Sequence, residues 1–273
     1  MKTAQDTFLK YVSGYDPDDP KIRLKADHTL RVADLSRKIA QSLGEDETPG
    51  GYGQPGDHPG NDIRVDPELA YLIGILHDIG RFEQVRIYHT FLDRFSIDHA
   101  CLSADLLFHD GLIRTYPARE EDYPLIEKAI RLHNVYALPE DLNEKEKAYC
   151  QILRDADKID ILRVNVESSL EEIYNMPEEA FFTSEITDRV FEDILAHRNV
   201  NHVYKKTAID YLIGHIAFVF GLVYPMSFRI VQEQGYLEKM LGLESRNEKT
   251  RERMDRIRQE VHGYMEEHMG YPV

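Results

Sequence analysis

The segment LIGILHDIGRFE (Leu72–Glu83) decides how this chain folds. Asp66 and Pro67 precede the apolar residues at its start. Asp66 is a favoured N-cap residue, and proline is suited to the first helical position. This arrangement predicts a helix that begins at Pro67 and runs through Leu76.

The predicted helix leads directly into the dipeptide His77-Asp78, and Gly80 is expected to end it. Consecutive residues differ by about 100° around a helix axis. Both side chains can therefore reach one ion only if that ion lies beyond the helix end.

Helical patterns extend outward from this segment along most of the chain, whereas strand-like alternation is weak, so we predict an all-α fold. Arg81 to Arg94 is an aromatic and charged connection without a clear pattern. The other helices are expected from Ile22 to Leu43 (ended by Gly44), after a cap at Ser96 or Asp98, from Asp122 and Pro124, and after a capping box of Asn143 and Glu146.

These patterns predict one helical domain with an extension. We expect an N-terminal segment (1–21), a helical core (22–165) that contains a flexible Gly/Pro loop (44–62), and additional C-terminal helices (166–273) packed on the core. The long charged stretch Gly235–Met265 is a candidate arm, and it raises the prospect of a homodimer.

Composition limits the partners of this protein. With 33 basic and 49 acidic residues the net charge is −16, which disfavours nucleic acid polymers and anionic membranes. The N-terminus lacks the apolar region of a signal peptide, the most apolar run (Tyr211–Tyr224) is too short to span a bilayer, and the two cysteines form no disulfide framework. We therefore expect a cytoplasmic protein.

Histidines and acids in helical positions indicate the chemistry. His28, His99 and His133 each fall on an apolar helical stripe, a fourth helix ends in His77-Asp78, and burial of so many ionisable groups without a metal or other partners would cost several kcal/mol. A divalent ion removes that cost because it binds neutral histidine and ionised carboxylate. Asp157 shares the apolar face of its helix and is a better ligand candidate than the nearby Asp155 and Asp160.

Three further histidines are poorer candidates. His58 falls in the Gly/Pro loop, and His109, although it precedes Asp110 in a second His-Asp dipeptide, lies off the stripe of His99 near a helix C-terminus. His89, in the connection after Arg81, remains open as a residue that faces the site.

The ordered set H…HD…D, formed by His28, His77-Asp78 and Asp157, resembles the signature of the HD-domain superfamily of metal-dependent phosphohydrolases. The strings HTLRV, LIGILHDIGRFE and RDADKID are similar to that family's surroundings, over roughly Ile22 to Arg163. The resemblance implies an all-helical bundle core in which these residues bind one metal. His99 and His133 match the extra histidines of members with two-metal sites, in which Asp78 would bridge both ions.

This reading predicts a hydrolase that attacks a small phosphorylated molecule with metal-activated water. The expected cofactor is one or two divalent ions (Mn, Fe, Ni, Co, Zn or Mg), and the expected catalytic residues are Asp78 at the metals with Arg81 and Lys158 on the phosphate. A di-iron oxygenase of the same superfamily would use the same ligands and is the alternative. A non-catalytic ligand sensor is the third reading.

Overall fold

The protein, described from a computed structural model over residues 3–45 and 64–269, is all-α as predicted: no strand occurs within those two ranges. Contacts along the chain define two compact units, Met1–Ala156 and Asp157–Val273. The division falls inside one continuous helix, as does the boundary that we expected at residue 165.

The first unit contains seven α-helices within the described ranges, together with short 3₁₀ and π segments between Asp93 and Asp122. The α-helices are α1 (Ala4–Val12), α2 (Pro20–Glu45), α3 (Pro67–Leu76), α4 (Ile79–Tyr88), α5 (His99–Ala104), α6 (Tyr123–Arg131) and α7 (Glu144–Glu167), the last of which continues into the second unit.

Helices α2 and α3 form the most extensive helix pair of the first unit. Gly74 makes this close approach possible, because a Cβ there would lie 2.6 Å from the Cα of Ala33. Around this contact Val32, Ile39 and Ile73 are almost completely buried. The apolar core of the first unit thus forms directly beside the His77-Asp78 junction.

The predicted helix starts are confirmed at three positions. Asp66 caps α3 by accepting from the backbone N–H of Glu68, and Asp98 caps α5 by accepting from that of Cys101. Asn143 and Glu146 exchange side-chain to backbone hydrogen bonds of 2.9 and 3.0 Å at the start of α7.

The prediction that Gly80 ends a helix was wrong. Helix α3 already ends at Leu76, and α4 begins at Ile79, so Gly80 lies in the first turn of α4. A Cβ at Gly80 would lie 2.6 Å from the backbone nitrogen of Ser103, so this glycine lets α4 pack against α5. The connection predicted without clear structure after Arg81 is therefore helical as far as Tyr88.

Helix α2 is longer than predicted, because it begins at Pro20 and reaches Glu45. Gly44 consequently lies inside the helix, where its cost of about 1 kcal/mol relative to alanine is tolerated. Of the predicted Gly/Pro loop, residues 46–62 lie outside the described part of the chain.

The second unit contains seven further α-helices within the described ranges. They are α8 (Leu170–Tyr174), α9 (Glu178–Thr183), α10 (Asp188–Leu195), α11 (Ala208–Ile216), α12 (Pro225–Gln234), α13 (Tyr236–Leu241) and α14 (Glu248–Met269). Helix α14 packs against α10, α12 and α13 and buries Met254, Ile257 and Val261. The expected arm is therefore a packed helix with one apolar face.

A search of the described helices for a membrane span finds none with both the length and the apolar character required.

Candidate metal centre

The carboxylate of Asp78 lies at the junction between α3 and α4, and four histidines surround it. Its Oδ2 lies 3.7 Å from Nε2 of His28 and 3.5 Å from Nε2 of His77. Its Oδ1 lies 3.6 Å from Nε2 of His99 and 3.9 Å from Nε2 of His133. The two carboxylate oxygens thus face two different pairs of histidines.

Hydrogen bonds to Nδ1 determine the tautomer of three of these rings. Nδ1 of His77 lies 2.7 Å from the carbonyl of Gly74, and Nδ1 of His133 lies 2.7 Å from the carbonyl of Ile130. Because a carbonyl can only accept, both Nδ1 atoms must donate. Each Nε2 of the neutral rings therefore carries a lone pair directed toward the centre.

The His99 ring is oriented by Asp93, whose Oδ2 accepts from Nδ1 of His99 at 2.6 Å. Nε2 of His99 then faces Nε2 of His133 across 2.9 Å. Two lone pairs at this distance repel each other unless a metal ion, or a proton on one of the rings, lies between them. Two ligand atoms that are each about 2.1 Å from one ion are about 3.0 Å apart at a right angle and at most about 4.2 Å apart.

The distances and the donor set therefore fit divalent ions. All of the separations between Nε2 and Asp78 fall below that upper limit, and His77, Asp78 and His133 form a buried group able to hold a metal. Histidine nitrogen with carboxylate oxygen is the mixture that transition-metal ions prefer. What the arrangement offers chemically is a buried cation site with two ligand pairs on one shared carboxylate.

The loop that carries His133 is held in place by a buried arginine. The Nη1 atom of Arg154, on α7, donates to the carbonyls of Leu132, His133 and Val135 at 3.1, 3.1 and 2.6 Å. His133 follows the end of α6, so these bonds replace the helical partners that its neighbourhood lacks.

Lys25 is a participant at the centre that the sequence patterns did not single out. Its Nζ donates to Oδ2 of Asp78 at 2.8 Å and lies 5.5 Å from the centre of the Phe91 ring. Burial alone would raise the pKa of Asp78, but Lys25 is the largest of the opposing influences, and the pKa lies well below its ordinary value. The position of Lys25 three residues before His28 was the available signal, since it places both side chains on one helix face.

Arg81, predicted to contact phosphate, is engaged within the first unit. Its Nη1 donates to Oε1 of Gln84, to the carbonyl of Phe91 and to Oδ1 of Asp93, at 2.7, 2.7 and 2.8 Å. Its Nε lies 3.6 Å from Oδ1 of Asp78. Arg81 thus lies beside the centre and links Asp78 to Asp93, and its contact with phosphate remains a prediction.

Asp93 was missed by sequence reasoning. Burial would raise its pKa, but the hydrogen bond with His99 and the charge of Arg81 reverse the effect and lower it. Gln84, which is completely buried, also donates to Asp93, at 2.9 Å. No periodic pattern connects Asp93 to His99, because the intervening chain forms a 3₁₀ turn (Asp93–Phe95).

The remaining predicted site residues lie on α7 at the start of the second unit. Asp157 is partly buried, and its charge acts on the ring of His215 in the same unit. Lys158 is buried and donates from Nζ to the carbonyl of Gly221 at 3.0 Å. Ligation by Asp157 and phosphate contact by Lys158 stay predictions.

The poorer histidine candidates are separate from the Asp78 cluster. The side chain of His109 is 86% exposed and pairs with Asp110 at 3.0 Å. His89 is exposed and ends α4 in the left-handed conformation. His58 lies outside the described residues.

Comparison with known families agrees with this centre. The model of the HD domain matches residues 26–162, which is half of the chain and includes every ligand candidate of the Asp78 cluster and Asp157. The chain therefore belongs to the HD-domain family, which consists in general of metal-dependent hydrolases. No curated protein matches the chain, and no solved structure does.

Proposed function

We propose that this protein is a metal-dependent phosphohydrolase that acts on a small phosphorylated molecule through two divalent ions sharing Asp78. The observation that carries the proposal is the division of ligands between the two oxygens of Asp78, with His28 and His77 facing Oδ2 and His99 and His133 facing Oδ1. A centre for one ion needs only one of these pairs.

Asp157 completes the proposed ligand set. We propose that the Asp157 carboxylate joins His28 and His77 in holding one ion, because the H…HD…D order of the chain and the family match through residue 162 both include it.

Bound ions would supply a water nucleophile at neutral pH and would offset charge on the phosphoryl oxygens. The chain itself must position the substrate, and its net charge of −16 opposes a phosphate unless positive charge is local. Lys25 and Arg81 are the local cations of the first unit, since both lie within 4 Å of Asp78.

These two cations have different tasks in the proposal. The guanidinium of Arg81 already makes three hydrogen bonds through Nη1, so it mainly fixes Asp93 and, through it, the ring of His99. Lys25 has a flexible stem and one close partner, Asp78. In a metal-loaded protein Asp78 would be occupied as a ligand, and the ammonium of Lys25 would be available to donate to a phosphoryl oxygen.

The test is phosphate release from a panel of nucleotides, dinucleoside polyphosphates and simple phosphate esters. The protein would be reloaded anaerobically with Mn²⁺ or Fe²⁺ and compared with Asp78→Ala. The matched control is Asp110→Ala, which alters the second His-Asp dipeptide on the exposed surface. We expect release by the native protein and by Asp110→Ala and none by Asp78→Ala.

Other outcomes would separate the alternatives. Release that persists in Asp78→Ala would refute the proposal. Dioxygen consumption by the iron-loaded protein, with no phosphate release from any compound, would favour the oxygenase. Tight binding of a phosphorylated compound without turnover of it would favour a sensor.

A further inference from the structure

The second unit contains a cluster of polar side chains around His215 that the proposed function does not use. His215, on α11, is partly buried beside Tyr174 and Asn165, with Nδ1 2.7 Å from the Tyr174 hydroxyl and 2.9 Å from Nδ2 of Asn165. Lys205, which precedes α11, extends its side chain over Gly214, the residue before His215. No periodic pattern in the sequence connects these residues.

The hydrogen bonds of this cluster determine which nitrogen of His215 carries the proton. Nδ2 of Asn165 donates to the carbonyl of Ile161 at 2.8 Å, and Oδ1 accepts from the Tyr174 hydroxyl at 2.5 Å. The second hydrogen on Nδ2 therefore points to Nδ1 of His215, which must accept it. The proton of the neutral ring is on Nε2, and no described residue accepts a hydrogen bond from Nε2.

The ammonium of Lys205 forms no salt bridge with any described residue. Its nearest aromatic ring is that of Tyr211, whose centre lies 5.7 Å from Nζ. Asp210 is the one acid whose charge acts on it, and that carboxylate is already occupied, since it accepts from the backbone N–H groups of Thr187, Lys206 and Thr207 at 2.9 to 3.0 Å. Burial lowers the pKa of Lys205 to about 8, because the charge of Asp210 offsets the effect of burial only in part.

Gly214 brings the two donors together. A Cβ at this position would lie 2.5 Å from Nζ of Lys205 and even closer to its Cε, so the lysine holds this position over α11 because residue 214 is glycine. The proximity is also electrostatic, because burial and then the charge of Lys205 hold the pKa of His215 well below its ordinary value. The charge of Asp157 acts on the same ring in the opposite sense.

We propose that Nζ of Lys205 and the Nε2–H of His215 form an anion-binding pair that takes a phosphate group. Both groups are donors, neither is paired with an acid, and a tetrahedral oxyanion offers acceptors to both. The binding of free phosphate stands on these residues alone. Identification of the anion as the phosphoryl group of the substrate rests on the function proposed above.

The first test measures the reactivity of lysines in the full chain without metal. Labelling with trinitrobenzenesulfonate at pH 7.5 would be followed at Lys205 and at its exposed neighbour Lys206 by mass spectrometry, with and without inorganic pyrophosphate. We expect pyrophosphate to slow labelling at Lys205 at least about tenfold at saturation and to leave Lys206 unchanged. Equal labelling of Lys205 with and without pyrophosphate would overturn the proposal.

The second test uses variants, and calorimetry of inorganic phosphate and pyrophosphate binding to the metal-free chain is the readout. Lys205→Met should weaken binding at least about tenfold, whereas Lys206→Met should not change it. Unchanged affinity in Lys205→Met would show that the lysine only packs against Tyr211. Because neither test needs turnover, protection of Lys205 in a protein that hydrolyses nothing would refute the proposed function and retain the anion pair.

Discussion

The two units of this protein each contain a polar cluster, and the clusters are opposite in chemical character. In the first unit the Asp78 cluster directs histidine nitrogens and a carboxylate toward one another, so it suits cations. In the second unit we propose that Lys205 and His215 present N–H donors to an anion. Burial of polar groups can therefore prepare a site for either sign of charge, depending on whether acceptors or donors face inward.

The Asp78 cluster itself has two sides, and different residues support each of them. The Oδ2 side, with His28 and His77, includes the ammonium of Lys25. The Oδ1 side, with His99 and His133, is supported by Asp93 through His99. Substitutions on one side should therefore weaken the binding of one ion, and the loss of a ligand should have the largest effect.

Removal of one histidine from each side should separate the two ions. His28→Ala removes a ligand from the Oδ2 side and His133→Ala from the Oδ1 side, so each variant should retain about one metal ion per chain and lose measurable turnover. Metal analysis of the two proteins after dialysis measures this. His109→Ala, at an exposed histidine, should retain the native metal content. Loss of all metal in both variants would mean that the sites do not form independently.

Replacement of Asp93, the carboxylate that orients His99, should weaken metal affinity only on the Oδ1 side. Asp93→Asn removes the acceptor that fixes Nδ1 of His99, and partners of this kind contribute about 10- to 100-fold in metal affinity. Competition with a fluorescent chelator would resolve the two affinities. Asp110→Asn is the matched control, because it alters a His-Asp pair of similar geometry on the surface. An equal loss of affinity for both ions in Asp93→Asn would contradict the division of the cluster into two sides.

Lys25 should lower the affinity of the centre for metal and raise its affinity for substrate. In the metal-free protein its ammonium competes with an ion for Oδ2 of Asp78, so Lys25→Met should increase metal affinity on that side by up to about tenfold. If Lys25 also contacts phosphate, the same variant should raise KM. Lys21→Met, one turn earlier on α2, should change neither value. A variant with weaker metal binding would show that Lys25 supports the site and does not compete for it.

The last prediction concerns the stability of the protein, and metal binding at Asp78 is expected to stay unchanged. The folded pKa of Lys205, about 8, lies below its ordinary value, so the unfolded chain binds this proton more tightly and the native protein is destabilised at neutral pH. Stability should therefore rise as the pH increases from 8 toward 10.5. Lys205→Met should have a higher Tm than the native protein at pH 7, and the difference should narrow across this interval. A lower Tm at pH 7 in Lys205→Met would refute the explanation.

Sequence patterns predicted the features of the protein that depend on helical periodicity and on local capping. They predicted the all-α fold, the caps at Asp66 and Asp98, and the histidines that gather around Asp78. Each of these residues lies on, or close to the end of, a helix with a clear apolar stripe, so its direction follows from spacing.

Features that depend on contact between distant or irregular segments could not be predicted. Gly80 looked like a helix terminator, although its absent side chain serves the packing of α4 against α5. Asp93 reaches His99 through a 3₁₀ turn, and Lys205 reaches His215 across the backbone of Gly214. In each case the decisive fact is a tertiary approach that has no periodic signature.

The central claim is that one carboxylate, Asp78, joins two cation sites. Anomalous diffraction from a crystal of the protein equilibrated with Mn²⁺ tests it most directly. We predict two manganese peaks, one near Oδ2 with His28 and His77 and one near Oδ1 with His99 and His133. A single peak at full occupancy, or two peaks with Asp78 bound to only one of them, would contradict the account.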